Sequence, residues 1–280
     1  STFVFISTTT VSSTEYPWPT FHADNARTGH SSAWAPNTNN LAWSYTTGGE
    51  VLSSPAVASD KVFVGSCDGK FYALDQKTGS FKWSYNANEA IVSSPTVADG
   101  MVFFCTVGDT SVPSRDVYAL NQATGALVWK RTIGSCDLAV NEGSPALANG
   151  KVFLCGGDGT LYCLDEYSGN VNWTKPMSGD IIGAPAVSGG IVFAAGGYIL
   201  YAVDMSSGGT IWTYYPGDHL TGNTVHGGKV FTCSGTKTIA VYESTGSVAW
   251  SRDFGSGILP VSSPAVANGK VFVLADTLDD

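Results

Sequence analysis

The side chains of this 280-residue chain best suited by type to chemistry are a scatter of loop carboxylates and amides. Asp137, Asn141 and Glu142 stand close together in "GSCDLAVNEG". They could offer oxygen ligands to Ca²⁺, a hard cation that takes carboxylate and amide oxygens. Their spacing follows no Ca²⁺-loop motif, and solvated loop residues are the plainer reading. Asp109, Arg115, Asp116, Asp180, Asp218 and His219 complete the polar set, in segments such as "CTVGDTSVPSRD", "MSGDII" and "YPGDHLTG". His22, His30, His219 and His226 lack the i, i+4 or Cys-paired spacing of a zinc site. No P-loop, G-x-S-x-G elbow or Ser-His-Asp arrangement can be read off. No residue is therefore assigned a catalytic or cofactor-binding role, and Ca²⁺ remains a weak alternative.

The cysteines, at 67, 105, 136, 155, 163 and 233, are never adjacent. Cys105, Cys155 and Cys233 close "VFFC", "VFLC" and "VFTC", where Gly65 and Ala195 close the sister segments. A small core position explains that equivalence first. Cys67 and Cys136 fall in turns, so one or two bridges drawing on Cys67, Cys105 and Cys136 are compatible with an oxidising compartment.

The elements that must position these residues follow from composition. Hydrophobic residues make up 43% of the chain and charged ones only 13%, with 33 Gly and 8 Trp. Such a balance favours strands and tight turns over helices. The net charge of −9, without a basic cluster, argues against nucleic acid and anionic lipid as partners. No apolar run approaches the ~20 residues that span a bilayer. The Ser/Thr-rich start "STFVFISTTTVSST", without Met or a basic n-region, together with few Lys, leads us to expect a mature extracellular, cell-surface or periplasmic chain.

One dodecapeptide recurs. "YALDQKTGSFKW", "YALNQATGALVW", "YCLDEYSGNVNW", "YAVDMSSGGTIW" and "IAVYESTGSVAW" end at Trp83, Trp129, Trp173, Trp212 and Trp250, which lie 46, 44, 39 and 38 residues apart. Trp43, in "LAWSYTTG", lies 40 before Trp83. Ahead of each runs a piece such as "SSPAVASDKVFVGSCDGK" or "GSPALANGKVFLCGGDGT", and a last copy, "SSPAVANGKVFVLAD", falls near residue 280. Each repeat reads as four short strands, with Asp-Gly, Asn-Gly or Gly-Gly supplying the positive φ of the first hairpin turn. A period of about 40–45 residues with four strands is the signature of a β-propeller blade. The predicted fold is an all-β propeller in which Trp43, Trp83, Trp129, Trp173, Trp212 and Trp250 clamp one blade to the next.

The motif Y-A-L-D-x-x-T-G-x-x-x-W, preceded by S-S-P-A-V-A-x-G-K-V-F-V-G, resembles the PQQ-like (quinoprotein-type) propeller repeat with its tryptophan-docking motif. "WPTFHADNARTGHS" is similar to the lead-in that often precedes that family's first blade. The resemblance is nearer to the outer-membrane assembly lipoprotein type than to the quinoprotein dehydrogenases. Those enzymes carry adjacent cysteines beside the quinone, a Ca²⁺ site and a catalytic Asp, on a chain about twice as long; no Cys-Cys pair occurs here.

Five blades are expected over about 51–256, preceded by residues 1–50 as an N-terminal segment with closure strands, the whole making one domain. "TFVFIS" and "LAWSYTT" read as third and fourth strands that would complete a sixth blade with the strands at 261–275. Seven or eight blades follow instead if the native chain continues, and residues 1–13 could alternatively add to a second molecule's sheet. The expected role is a non-catalytic scaffold for protein–protein interaction, with a quinone- or Ca-binding propeller oxidoreductase as the alternative. Its site is expected on the face formed by the turns between second and third strands and the links between blades.

Overall fold

The computed structural model describes residues 2–6, 20, 24, 26–27, 40–108, 114–135, 143–179 and 183–277. Within them stand five antiparallel four-stranded sheets, each with its strands in chain order. Blade one comprises Ala56–Ala58, Lys61–Gly65, Lys70–Asp75 and Phe81–Asn86. Blade two comprises Thr96–Ala98, Met101–Cys105, Ser114–Asn121 and Leu127–Ser135. Blade three comprises Ala146–Ala148, Lys151–Cys155, Thr160–Asp165 and Val171–Pro176. Blade four comprises Ala186–Ser188, Ile191–Gly196, Ile199–Asp204 and Thr210–Tyr214. Blade five comprises Leu220–His226, Lys229–Ser234, Lys237–Tyr242 and Val248–Asp253. The first strands of successive blades touch one another, which places them around the axis of a β-propeller.

The repeated turn residues act as their chemistry requires. Asp99 and Gly100 take φ of 45° and 76°, and Asn149 and Gly150 take 53° and 71°, the paired positive values of a type I′ hairpin turn. Blade one forms the same turn from Ser59 and Asp60, at 48° and 56°, with no glycine. An L-residue is strained in that region, so Asp60→Gly is expected to stabilise the protein by about 0.5–1 kcal/mol. A thermal melt compared with that of Asn149→Gly, where Asn already tolerates the turn, checks this.

The dodecapeptide is now explained atom by atom. In the turn between third and fourth strands, Asp75 Oδ1 accepts from the backbone N–H groups of Lys77 and Thr78 and from the Thr78 hydroxyl. Asn121, Asp165 and Asp204 repeat the arrangement. The Lys82 ammonium, 3.0 Å from Asp75 Oδ2, holds the Asp75 carboxyl down at about 2, and these turn bonds act in the same direction. The glycine that follows lies beneath the tryptophan of the preceding blade: a Cβ on Gly79, Gly125, Gly169 or Gly246 would come within 2.5–2.6 Å of the indole of Trp43, Trp83, Trp129 or Trp212. Each indole Nε1 also donates to that turn, Trp43 to Gln76 O at 2.9 Å and Trp129 to Glu166 O at 2.8 Å. The other indole face packs on a phenylalanine of its own blade, as Trp129 does on Phe103 with ring centroids 5.9 Å apart.

At the ends of the ring the expected strands form, two further short ones appear, and the pairing differs from that expected. Thr2–Ile6 pairs with Leu41–Thr46, and Ala265–Ala267 pairs with Lys270–Phe272. These remain separate two-stranded sheets, and among the described residues no ladder joins them into a sixth blade. Ala275–Thr277 instead folds back to pair with Ile258–Pro260. The Leu274 N–H donates to Ser262 Oγ and the Val261 N–H to Leu274 O, which draws the chain beyond Phe272 towards the link. Phe272 and Leu274 are left exposed. So is Trp250, at 38%, against 7% for Trp129.

Candidate functional site

Of the residues singled out from the sequence, Asp109, Cys136, Asp137, Asn141, Glu142, Asp180, His22 and His30 lie outside the described residues. Arg115 and Asp116 serve the framework. Arg115 is fully buried and donates to Cys155 O and Gly143 O. In blades one and two that place is held by Ser53 and Ser93, whose hydroxyls tie the end of the second strand. Blade three has Gly143 there, and the arginine of the neighbouring blade substitutes for the missing hydroxyl. Asp116 is paired with Lys130 at 2.6 Å and accepts from the Thr132 hydroxyl. Asp218 and His219 are exposed on the face formed by the links, where the His219 ring lies 4.0 Å from that of Tyr198 and Tyr215 stands beside it. His226 is exposed at the end of its strand, and no three His, Cys, Asp or Glu residues converge into a metal site among the described residues.

Cys67 carries a free, half-buried thiol, as Cys155, Cys163 and Cys233 carry buried ones. Burial pushes the Cys155 thiol up to about 12 and Cys163 to about 11, so neither is a nucleophile near neutral pH. Cys105 is buried at the end of its strand, equivalent to Cys155 and Cys233, as the sequence pattern implies.

The sequence reading missed what occupies the axis. Arg27, fully buried, donates to Pro185 O at 3.2 Å, Ser144 O at 3.2 Å, Pro145 O at 2.9 Å and Thr20 Oγ1 at 2.9 Å. The Thr20 hydroxyl also meets the Thr96 hydroxyl, 2.8 Å away. Ala26 O and Arg27 O accept from the Val225 N–H and the Thr224 hydroxyl. These partners belong to, or lead into, the first strands of blades two to five, and only the axis lies within reach of all four. Thr20, Ala26 and Arg27 of the lead-in thus act as a plug. Its arginine donates to carbonyls at the start of the converging first strands.

Beside the plug opens a cavity of about 430 Å³, lined by Thr20, Asp24, Thr96, Asp99, Leu147 and Glu166 among others. It lies among the turns joining first to second and third to fourth strands, so it opens on the face opposite the one expected. Glu166 is 2% exposed, its carboxyl lies within hydrogen-bond reach of Asp99, and among the described residues its Oε1 has no partner. Its carbonyl is fixed by the Trp129 indole and its N–H by Gly150 O, so the clamp sets where this side chain lies. Asp99 stands next to it and accepts from the Tyr167 hydroxyl at 3.2 Å. A sequence signal existed: "LDEYSG" puts a carboxylate where blades one and two have Gln76 and Gln122.

Burial pushes the Glu166 carboxyl up to about 7, and the Asp99 carboxylate adds to the shift. The raised folded value means that the native chain keeps a proton, from about pH 4.5 to 7, that the unfolded chain has lost. Stability therefore falls as pH rises through that window. Glu166→Gln keeps the shape and removes the charge. It is expected to melt higher than the wild type at pH 8, by about 1–2 kcal/mol or roughly 2–6 °C, with the two converging near pH 5. Calorimetric scans at the two pH values check this.

A family model described as outer membrane protein assembly factor BamB matches residues 27–116, 113–221 and 195–279. Among curated proteins, tetrathionate hydrolase of Acidithiobacillus ferrooxidans is 24% identical over 62% of this chain and 38% of its own. Outer membrane protein assembly factor BamB of Moranella endobia is 27% identical over 61% of this chain and 46% of its own. The chain thus spans less than half the length of either relative. Among solved structures, quinohemoprotein alcohol dehydrogenase of Comamonas testosteroni superposes with a TM-score of 0.67 at 17% identity, over 92% of this chain and 52% of that one. That likeness is one of fold.

Proposed function

The chain belongs to the PQQ-like propeller family that includes outer membrane protein assembly factor BamB, and from that premise we propose that it is a non-catalytic, extracytoplasmic scaffold for protein–protein contact. The observation that carries the reading is the surface at the link face. Tyr198 and Tyr215 are 43% and 64% exposed around His219, and Leu52 and Val261 stand exposed on other links of the same face. Exposed tyrosines held on a rigid frame are the currency of protein interfaces. The names of two relatives, BamB of Moranella endobia among them, include an assembly factor and a hydrolase, so the enzyme reading needs its own test.

A quinone centre is implied by part of the family, and the described residues do not fit it. No two cysteines are adjacent, no three ligating side chains converge, and Thr20 and Arg27 stand at the axis. No chemical step is derived through that cofactor.

The test is sedimentation velocity with the absorbance spectrum read in the same run, after incubation with PQQ and Ca²⁺. A colourless boundary whose sedimentation is unchanged by the additives supports the scaffold reading. A quinone band travelling with the protein overturns it. Self-association through residues 1–13 belongs to the same experiment. Because Thr2–Ile6 pairs with Leu41–Thr46 of its own chain, deleting residues 1–13 is expected to lower the melting temperature without changing the mass of the sedimenting species. Loss of oligomers on that deletion would show the segment to be an intermolecular strand.

A further inference from the structure

The cavity beside the plug has a composition that the scaffold role does not use. Its lining combines the apolar Val97, Ala98, Leu147 and Ala148 with the acidic Asp24, Asp99 and Glu166. The threonine hydroxyls at its floor are already committed, Thr96 to Pro145 O and Thr20 to Arg27. Glu166 is 2% exposed; its carboxyl lies within hydrogen-bond reach of Asp99, and among the described residues its Oε1 has no partner. Once Glu166 loses its proton, above about pH 7, two carboxylates face each other here, which is costly unless something cationic meets them.

We propose that this cavity binds a small organic cation, a primary alkylammonium whose charged head pairs with Glu166 and Asp99 and whose methylene stem lies on the apolar lining. Three features select that chemistry. A metal ion asks for several converging ligands, and among the described residues no such group forms. The volume, about 430 Å³, exceeds what a bare ion needs and suits a short chain of methylenes. The apolar lining rewards a stem that a hydrated ion does not have. Asp24 and Asp165 add negative potential: Asp24 lines the cavity, and Asp165 raises Glu166 through its charge.

Isothermal titration with 1,5-diaminopentane tests the proposal, with 1-pentanol and Ca²⁺ as comparison titrants. Saturable binding of the diamine and none of the alcohol is expected. Affinity should rise about tenfold from pH 6 to pH 8 as Glu166 releases its proton while the ammonium stays charged. Glu166→Gln should weaken binding by tenfold or more, with retained folding judged from its melting curve. Asp99→Asn is the second variant, since Asn149 occupies the equivalent turn position of the next blade at a φ of 53°. It should weaken binding by a smaller factor. Absence of saturation by about 10 mM diamine, the weak end of specific affinity, would overturn the proposal. So would equal binding by both variants, or Ca²⁺ binding that Glu166→Gln abolishes while the diamine gives no heat.

Discussion

Trp129→Ala is expected to cost about 3–5 kcal/mol, the range for truncating a buried tryptophan, and to lower the melting temperature by roughly 10 °C. The indole is 7% exposed, lies between Phe103 and Gly169, and donates to Glu166 O. Removing it opens a cavity across the interface of blades two and three and orphans a carbonyl. Trp250→Ala is the internal control. That indole keeps its phenylalanine, Phe231, at 6.0 Å but is 38% exposed, and among the described residues no glycine turn covers it. Its loss should cost about 1–2 kcal/mol, because only one of its two faces is packed. Gly169→Ala separates packing from position. Its φ is 67°, and its new methyl would meet the Trp129 ring at 2.6 Å, so it should destabilise on its own. Combined with Trp129→Ala, the methyl enters the space that the ring has vacated. The double variant should therefore be more stable than the sum of the singles predicts, and urea unfolding of the four proteins measures that coupling. Equal losses for Trp129→Ala and Trp250→Ala would show that the docking turn contributes nothing.

The blades were legible because a propeller writes the same local chemistry repeatedly. Turn dipeptides, the aspartate that caps the second hairpin, the glycine under the indole and the tryptophan itself all sit at fixed offsets within one repeat. Each can be recognised without knowing what lies across the interface. The cavity is a different kind of object. Thr20, Thr96, Leu147 and Glu166 meet there from four stretches of chain, and no spacing in the sequence relates them. Looking for loop insertions pointed to the link face, because repeat proteins vary there. The cavity arises instead between the short conserved-looking turns, where one blade's Gln is another's Glu. By type Arg115 suits a binding surface, and its burial shows the opposite use: it compensates for Gly143, which stands where two sister blades have serine. At the ends of the ring the expected strands were legible and their pairing was not. Which edges pair depends on the fold-back of Ala275–Thr277, a contact set by two hydrogen bonds that no pattern announces.

Arg27→Leu should be as damaging as loss of the best-packed tryptophan, about 3–5 kcal/mol, for a reason that lies in the axis. Burial, opposed by the Asp24 charge, lowers the guanidinium's affinity for its proton to about 10, so the side chain is charged at neutral pH in a place that disfavours charge. It is held there by Pro185 O, Ser144 O, Pro145 O and Thr20 Oγ1. Leucine would relieve the buried charge and remove the four hydrogen bonds that the guanidinium donates, while Pro145 O and Thr20 Oγ1 keep the Thr96 hydroxyl. The carbonyls belong to blades three and four, so the loss should loosen the hub as a whole. Hydrogen exchange can see this directly. In Arg27→Leu the amides of Ala146–Ala148 and Ala186–Ser188 should lose protection together, while those of the outer strands Val171–Pro176 and Thr210–Tyr214 change less. Arg27→Lys separates charge from geometry. An ammonium brings the charge but not the planar fork that reaches carbonyls of two blades at once, so it should recover only part of the stability. Full recovery by lysine would mean that a central positive charge is all the hub requires. No loss in either variant would mean that the first strands hold the axis by their own contacts and that the lead-in merely lies in it.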